Sequence, residues 1–215
     1  MLKPLVLKTK RSILGEVRKE LKKKRLENSI FGLAVLYSDI RYSTKIATTL
    51  KPFEQKMYYE TFLNEMISII EDFGGYPFKT TGDCVIGFFL EEHGFQWCDN
   101  VILCGLMMIE VVKNNISPYL QSKGLPKLEC RIAADYGEAQ IIKLYSQKLP
   151  FNLEVVGNVM NIAAKILSRA ETNQMFIGQN LAELIHTEYR VHCEHAGNLQ
   201  FNSENYKFFK VNYKI

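Results

Sequence analysis

Gly32-Leu33-Ala34-Val35-Leu36-Tyr37-Ser38-Asp39 is apolar almost throughout and ends in a carboxylate. A short apolar run of this kind predicts a central strand, with its acid left at the strand exit. Downstream, Tyr59, Phe62, Leu63, Met66, Ile70 and Phe73 recur at steps of three and four, the period of a helix with one buried stripe. Gly74-Gly75 stops that helix. Residues 76–80 and 85–89 are β-rich and are joined by Thr81-Gly82-Asp83-Cys84, which predicts a hairpin with a second carboxylate at its tip.

Further along, residues 97–115 carry Val101, Cys104, Met108 and Val111 on one side of a predicted helix that Pro118 should close. Residues 128–135 and 138–145 predict two strands around Tyr136-Gly137. A helix follows over 157–170, then a strand over 175–177, a short helix over 181–185, and strands near 189–193 and 206–213. Strand, helix, two strands, helix, strand is the split βαβ, ferredoxin-like order. The expected fold is therefore α+β, an antiparallel-rich sheet with helices packed on one face.

The chain has 215 residues, 47% of them hydrophobic, which is ample for one packed core and excludes a disordered or low-complexity protein. No apolar run approaches the ~20 residues that span a bilayer. Leu5, Val6 and Leu7 are the only apolar cluster near the start and basic residues follow at once, so no signal peptide is expected. The net charge of +4 conceals an asymmetry: residues 1–25 hold ten basic side chains and two acidic ones, which leaves the rest of the chain at −4. A basic helical arm over residues 1–28 is expected ahead of a domain over 29–215. The arm could touch nucleic acid or an anionic membrane, or be no more than a solvated lead-in helix. Cys84, Cys98, Cys104, Cys130 and Cys193 are odd in number and scattered, which predicts reduced thiols in a cytoplasmic protein rather than disulfides or a zinc site.

Asp39 and Asp83 are placed to converge, since the hairpin pairs beside the first strand. Two acids from adjacent strand ends form oxygen-ligand sites for Mg²⁺ or Mn²⁺, ions that work on phosphates; an Asp in such a position can equally be a turn former.

Four motifs containing these residues resemble those of the class III nucleotidyl cyclases, in the same order. They are residues 37–44 (Tyr37-Ser38-Asp39-Ile40-Arg41-Tyr42-Ser43-Thr44), 74–89 with Gly74-Gly75, Lys79 and Gly82-Asp83, 131–138 with Arg131-Ile132 and Gly137-Glu138, and 154–165 from Glu154 through Gly157 and Asn161 to Lys165. The resemblance implies that Asp39, Ile40 and Asp83 hold two divalent metal ions, Mg²⁺ or Mn²⁺. It implies that residues Arg41, Tyr42, Ser43 and Thr44 meet the phosphates, that Asn161 orients the ribose and that Lys165 contacts the reacting phosphate. Lys165 stands where the family has Arg, so a point charge replaces a bidentate fork. Tyr42 stands where a small Gly is common, and the family's late triphosphate-binding Lys has no clear counterpart, Lys207 being off by several positions. Lys79 and Glu154 occupy the base-reading positions and argue against guanine. Adenine and cytosine both present the neighbouring acceptor and amine that such a pair reads.

The implied reaction converts a nucleoside triphosphate to a 3′,5′-cyclic nucleotide and diphosphate, with ATP slightly favoured. The alternatives are a stand-alone pyrimidine cyclase making cyclic UMP or CMP, as in bacterial antiphage (Pycsar) systems, and a degenerate cyclase-fold module that binds a nucleotide without catalysis. The family builds each site across a head-to-tail homodimer, with metal carboxylates from one chain and Lys79, Glu154, Asn161 and Lys165 from its partner.

Overall fold

The computed structural model describes residues 30–91, 94, 96–144, 152–201 and 204–215; the expected basic arm over 1–28 lies outside the described residues. Strand β1 (Ile30–Ile40) is central, antiparallel to both β3 (Cys84–Leu90) and β4 (Cys130–Leu144). With β2 (Tyr76–Thr81), β6 (Met175–Gly178), β7 (Cys193–Phe201) and β8 (Glu204–Val211) the sheet runs β2-β3-β1-β4-β6-β8-β7, and β5 (Asn152–Val156) pairs the outer part of β4. Among the described strands only β4 and β6 run parallel.

Because alternate residues of a strand point to opposite faces, β1 feeds two cores. Ala34, Leu36 and Ile40 pack with α2 (Pro52–Asp72) and α3 (Gln96–Val111). Leu33, Val35 and Tyr37 pack instead with Val159, Ile162, Ala163, Ile166 and Leu167 of α5 (Asn158–Arg169). The sheet thus has helices on both faces rather than one. Its central strands are apolar on both sides, and the α5 stripe supplies the second cover at about 1.5–3 kcal/mol per large side chain buried.

Helix α2 starts earlier than the apolar stripe predicts. Pro52 fits the first turn, and Glu54 accepts a 2.8 Å hydrogen bond from the Lys51 backbone N–H. Pro118 does not close the next helix. The chain runs from α3 through a π-helical segment, Val112–Ile116, into α4 (Ser117–Ser122), with Pro118 in the first turn of α4. A widened turn just ahead of a proline accommodates its missing N–H and its ring. The whole segment Gln96–Ser122 is long and apolar enough to cross a membrane by length and composition, contrary to the sequence reading, but 56% of its apolar window is buried inside the fold, as befits a core helix.

Strand β4 is one 15-residue strand, not two. Tyr136 and Gly137 stay in register with Ala34 and Leu33, so the β1 ladder carries the chain through the apparent turn. The glycine serves close packing, since a Cβ there would sit 3.0 Å from Cβ of Val159. The tail differs from expectation near 189–193, where a short helix α7 (Thr187–Arg190) precedes β7; α6 (Gln179–Leu184) and β8 fall close to their expected positions. A five-residue helix α1 (Ser43–Ala47) follows β1 directly.

Candidate active site

Asp39 and Arg131 face each other across the β1–β4 ladder. Arg131 donates from Nε at 2.8 Å and from Nη2 at 2.7 Å to Oδ2 of Asp39. Asp83 occupies the tight turn between β2 and β3, where Gly82 takes φ 62°, a conformation glycine adopts without a Cβ penalty. Burial raises the Asp39 carboxyl above its ordinary value, Arg131 opposes that shift, and the negative charge of Asp83 adds to it. Burial and these two carboxylates also push the Cys84 thiol up to about 12, so it stays protonated beside them.

The fit of a cation is visible in the unpaired atoms. Among the described residues four buried side-chain polar atoms have no partner, and three of them, Ser38 Oγ, Arg41 Nε and Asp83 Oδ2, belong to the two carboxylate motifs. A buried carboxylate oxygen without a donor, next to a second carboxylate, is costly unless a cation comes to it. No group of three or more His, Cys, Asp or Glu that could hold a metal exists among the described residues. A site with two carboxylates suits Mg²⁺, which keeps waters and takes phosphate oxygens for its remaining positions. Ile40 buries its side chain at 1% exposure, so what it can offer an ion is its main-chain carbonyl.

The loop after β1 is tightly built. Tyr42 takes the left-handed conformation, φ 61°, which explains the preference for glycine at this position. Tyr42 is 56% exposed, and its ring lies under the Arg41 guanidinium at 4.7 Å. Ser43 and Thr44 open α1.

Lys79 Nζ sits 2.5 Å from Oε1 of Glu154, and both side chains are about a third exposed. In register Glu154 faces Ile142, nine positions along β4 from Ala133, the level at which Lys79 lies across the sheet through Ile86 and Tyr37. A flat sheet would separate the pair by about 30 Å at 3.3 Å per residue. The ion pair therefore requires the β4–β5 ribbon to curl back over the face that α5 covers. Tyr37 donates a 3.2 Å hydrogen bond to the Met160 carbonyl, which ties the first turn of α5 to β1.

Asn161 and Lys165 project from the exposed side of α5, as their spacing of four requires. Neither is hydrogen-bonded or ion-paired to Asp39 or Asp83 among the described residues. Lys207 lies on β8 opposite Asn198, at a small cleft with Gln179, Glu183 and Arg190. The end of the β7–β8 hairpin nearest Lys165 instead carries Phe201. Sequence reasoning did not assign roles to Arg131, Tyr37 or Phe201. The signal for Arg131 was a cation just ahead of the apolar run Ile132-Ala133-Ala134; the other two needed the register.

The chain is similar to known proteins in sequence and in fold. The family model for the adenylate and guanylate cyclase catalytic domain matches residues 27–212. A cytidylate cyclase of Escherichia coli is 25% identical over 159 residues, 70% of this chain and 34% of that protein; one of Staphylococcus aureus is 24% identical over 150 residues, 68% and 36%. The chain thus spans about a third of the length of these curated relatives. The crystal structure of the adenylyl cyclase CyaB from P. aeruginosa superposes with a TM-score of 0.79 at 23% identity, over 87% of this chain and 96% of that one. With the family model spanning both carboxylates, the Lys79–Glu154 pair and α5, the chain belongs to the adenylate and guanylate cyclase catalytic domain family.

Proposed function

We propose that this protein is a nucleotidyl cyclase that closes a nucleoside triphosphate to a 3′,5′-cyclic nucleotide with release of diphosphate, and that its substrate is a pyrimidine nucleotide, CTP first. The observation that carries the activity is the convergence of Asp39 with the donor-free oxygen of Asp83. Asp39, Asp83 and the Ile40 carbonyl would hold the divalent ions. When bound, these would activate the ribose 3′-hydroxyl and neutralise the triphosphate. Arg131 holds Asp39 in place meanwhile, and the loop Arg41-Tyr42-Ser43-Thr44 lies beside the phosphates. Asn161 orients the ribose and Lys165 meets the reacting phosphate, both from the partner subunit of a homodimer. Burial of Cys84 keeps a competing nucleophile protonated.

Lys79 and Glu154 offer a donor and an acceptor side by side. That pairing suits the N3 acceptor and N4 amine of cytosine as well as the N1 and N6 of adenine. The sequence slightly favoured ATP, although this pair does not separate adenine from cytosine; the two relatives named cytidylate cyclases tip the choice to the smaller ring. A cyclic pyrimidine would serve as a second messenger in antiviral defence, in the cytoplasm where free thiols such as these persist. A second reading, a nucleotide-binding module without catalysis, is favoured by Lys165 in place of Arg and by Phe201 at the hairpin end. Incubating the protein with each of the four ribonucleoside triphosphates and Mn²⁺, then identifying products by mass, separates the two. Cyclic CMP supports the proposal, and nucleotide binding with no cyclic product from any of the four overturns it.

A further inference from the structure

Lys165, like Lys123 over Tyr119, lies over an aromatic ring with no carboxylate partner among the described residues, and of the two only Lys165 belongs to the candidate site. Lys56, Lys79, Lys113 and Lys127 each have a carboxylate within 4 Å, whereas no carboxylate pairs with Lys165 among the described residues. Its ammonium instead lies over the ring of Phe201, 5.7 Å from the centroid. Phe201 ends β7 and is half-buried against the core beneath α5. It also walls a cleft of about 650 Å³ together with Asn158 and Ile162, which lie one turn of α5 before Asn161 and Lys165. A carboxylate partner would neutralise the lysine. An aromatic face stabilises a cation while leaving its charge free for an arriving anion.

We infer that Phe201 is a positioning residue for Lys165: its ring holds the uncompensated ammonium at the rim of this cleft, aimed at the phosphate oxygens of a bound nucleoside triphosphate. The inference rests on the cyclase reading above. It also supplies a physical reason for the double departure at this place. A lysine has a flexible stem and no fork to fix its geometry, and the aromatic ring restores part of that order. Arginine would need less help.

The test uses the full chain and the triphosphate that gives a cyclic product, with kcat and KM measured separately. Phe201→Leu and Phe201→Met, which keep apolar bulk but remove the ring face, should lower kcat/KM about two- to fivefold. They should also weaken inhibition by inorganic diphosphate by a similar factor, while Phe201→Tyr retains wild-type values. Lys165→Ala should cost more, and Phe201→Leu added to it should cost nothing further. Leu and Met variants that fold with unchanged kcat/KM, or that lower it equally in the Lys165→Ala background, overturn the inference and leave the cyclase reading standing. Unchanged activity in Lys165→Ala removes the phosphate role of Lys165 and the inference with it.

Discussion

Asp83 is a residue held at a cost to the fold. Its Oδ2 is buried without a donor, and the Asp39 carboxylate repels it at close range. Both effects destabilise the folded chain, and both would vanish on binding of a cation, the pattern of strain kept for function. Asp83→Asn removes the repulsion and supplies a donor. It should leave the thermal midpoint unchanged or raised while metal-dependent turnover falls at least about a hundredfold, a loss in line with the several kcal/mol that metal ions contribute. Calorimetry and a rate assay on the same preparation check both halves, and a variant that loses stability along with activity would contradict this view of the turn. Both carboxylates could be located in the sequence, because an apolar run ending in Asp and a Gly-Asp turn mark strand ends. Arg131 could not be assigned to Asp39 from sequence, since their pairing depends on register across 92 positions.

At the scale of elements, the junction of β4, β6 and β8 holds a buried acid. Asp135 is fully buried on β4, accepts a 2.8 Å hydrogen bond from Tyr206 on β8, and lies against Gly178, where a Cβ would come within 2.2 Å of the carboxyl. Burial raises its pKa to about 7, with the Tyr206 hydroxyl pulling in the other direction. The sign follows directly. The folded state binds this proton more tightly than the unfolded chain, so the stabilisation is complete below the unfolded value of 3.8 and is lost as pH rises through about 7. Against Asp135→Asn, the wild-type protein should therefore lose up to about 1.4 kcal/mol per pH unit between these limits and nothing more above them. Urea midpoints for both proteins from pH 5 to 8 measure this, and parallel profiles would contradict it. Elements with clear periodicity, such as β1, α5 and the β2–β3 hairpin, were legible in the sequence. Strand β4 was misread because Asp135-Tyr136-Gly137 has turn chemistry that the β1 ladder overrides, and β5 was hidden inside a motif read as a helix entry. Pro118 misled for a similar reason, its local rule yielding to the π-helical segment before it.

For the whole molecule, the α+β order came from strand and helix periods, while the cover on the second face did not. That cover is α5 and the curled β4–β5 ribbon, whose contacts join segments far apart in sequence. The same arrangement gives each chain two unlike groups of candidate site residues, the carboxylates with Arg131 and the exposed face of α5 with the Lys79–Glu154 pair. A twofold-symmetric homodimer would bring one group of each chain to the other group of its partner, an isologous pairing that forms two sites. The measurement that bears most directly on this account mixes an Asp39→Ala chain with an Asn161→Ala chain, each inactive alone. Random pairing makes half of the dimers mixed, each with one intact site, so activity should recover to about a quarter of wild type. A mixture that stays as inactive as its components, although exchange of subunits is demonstrated, would contradict the shared site.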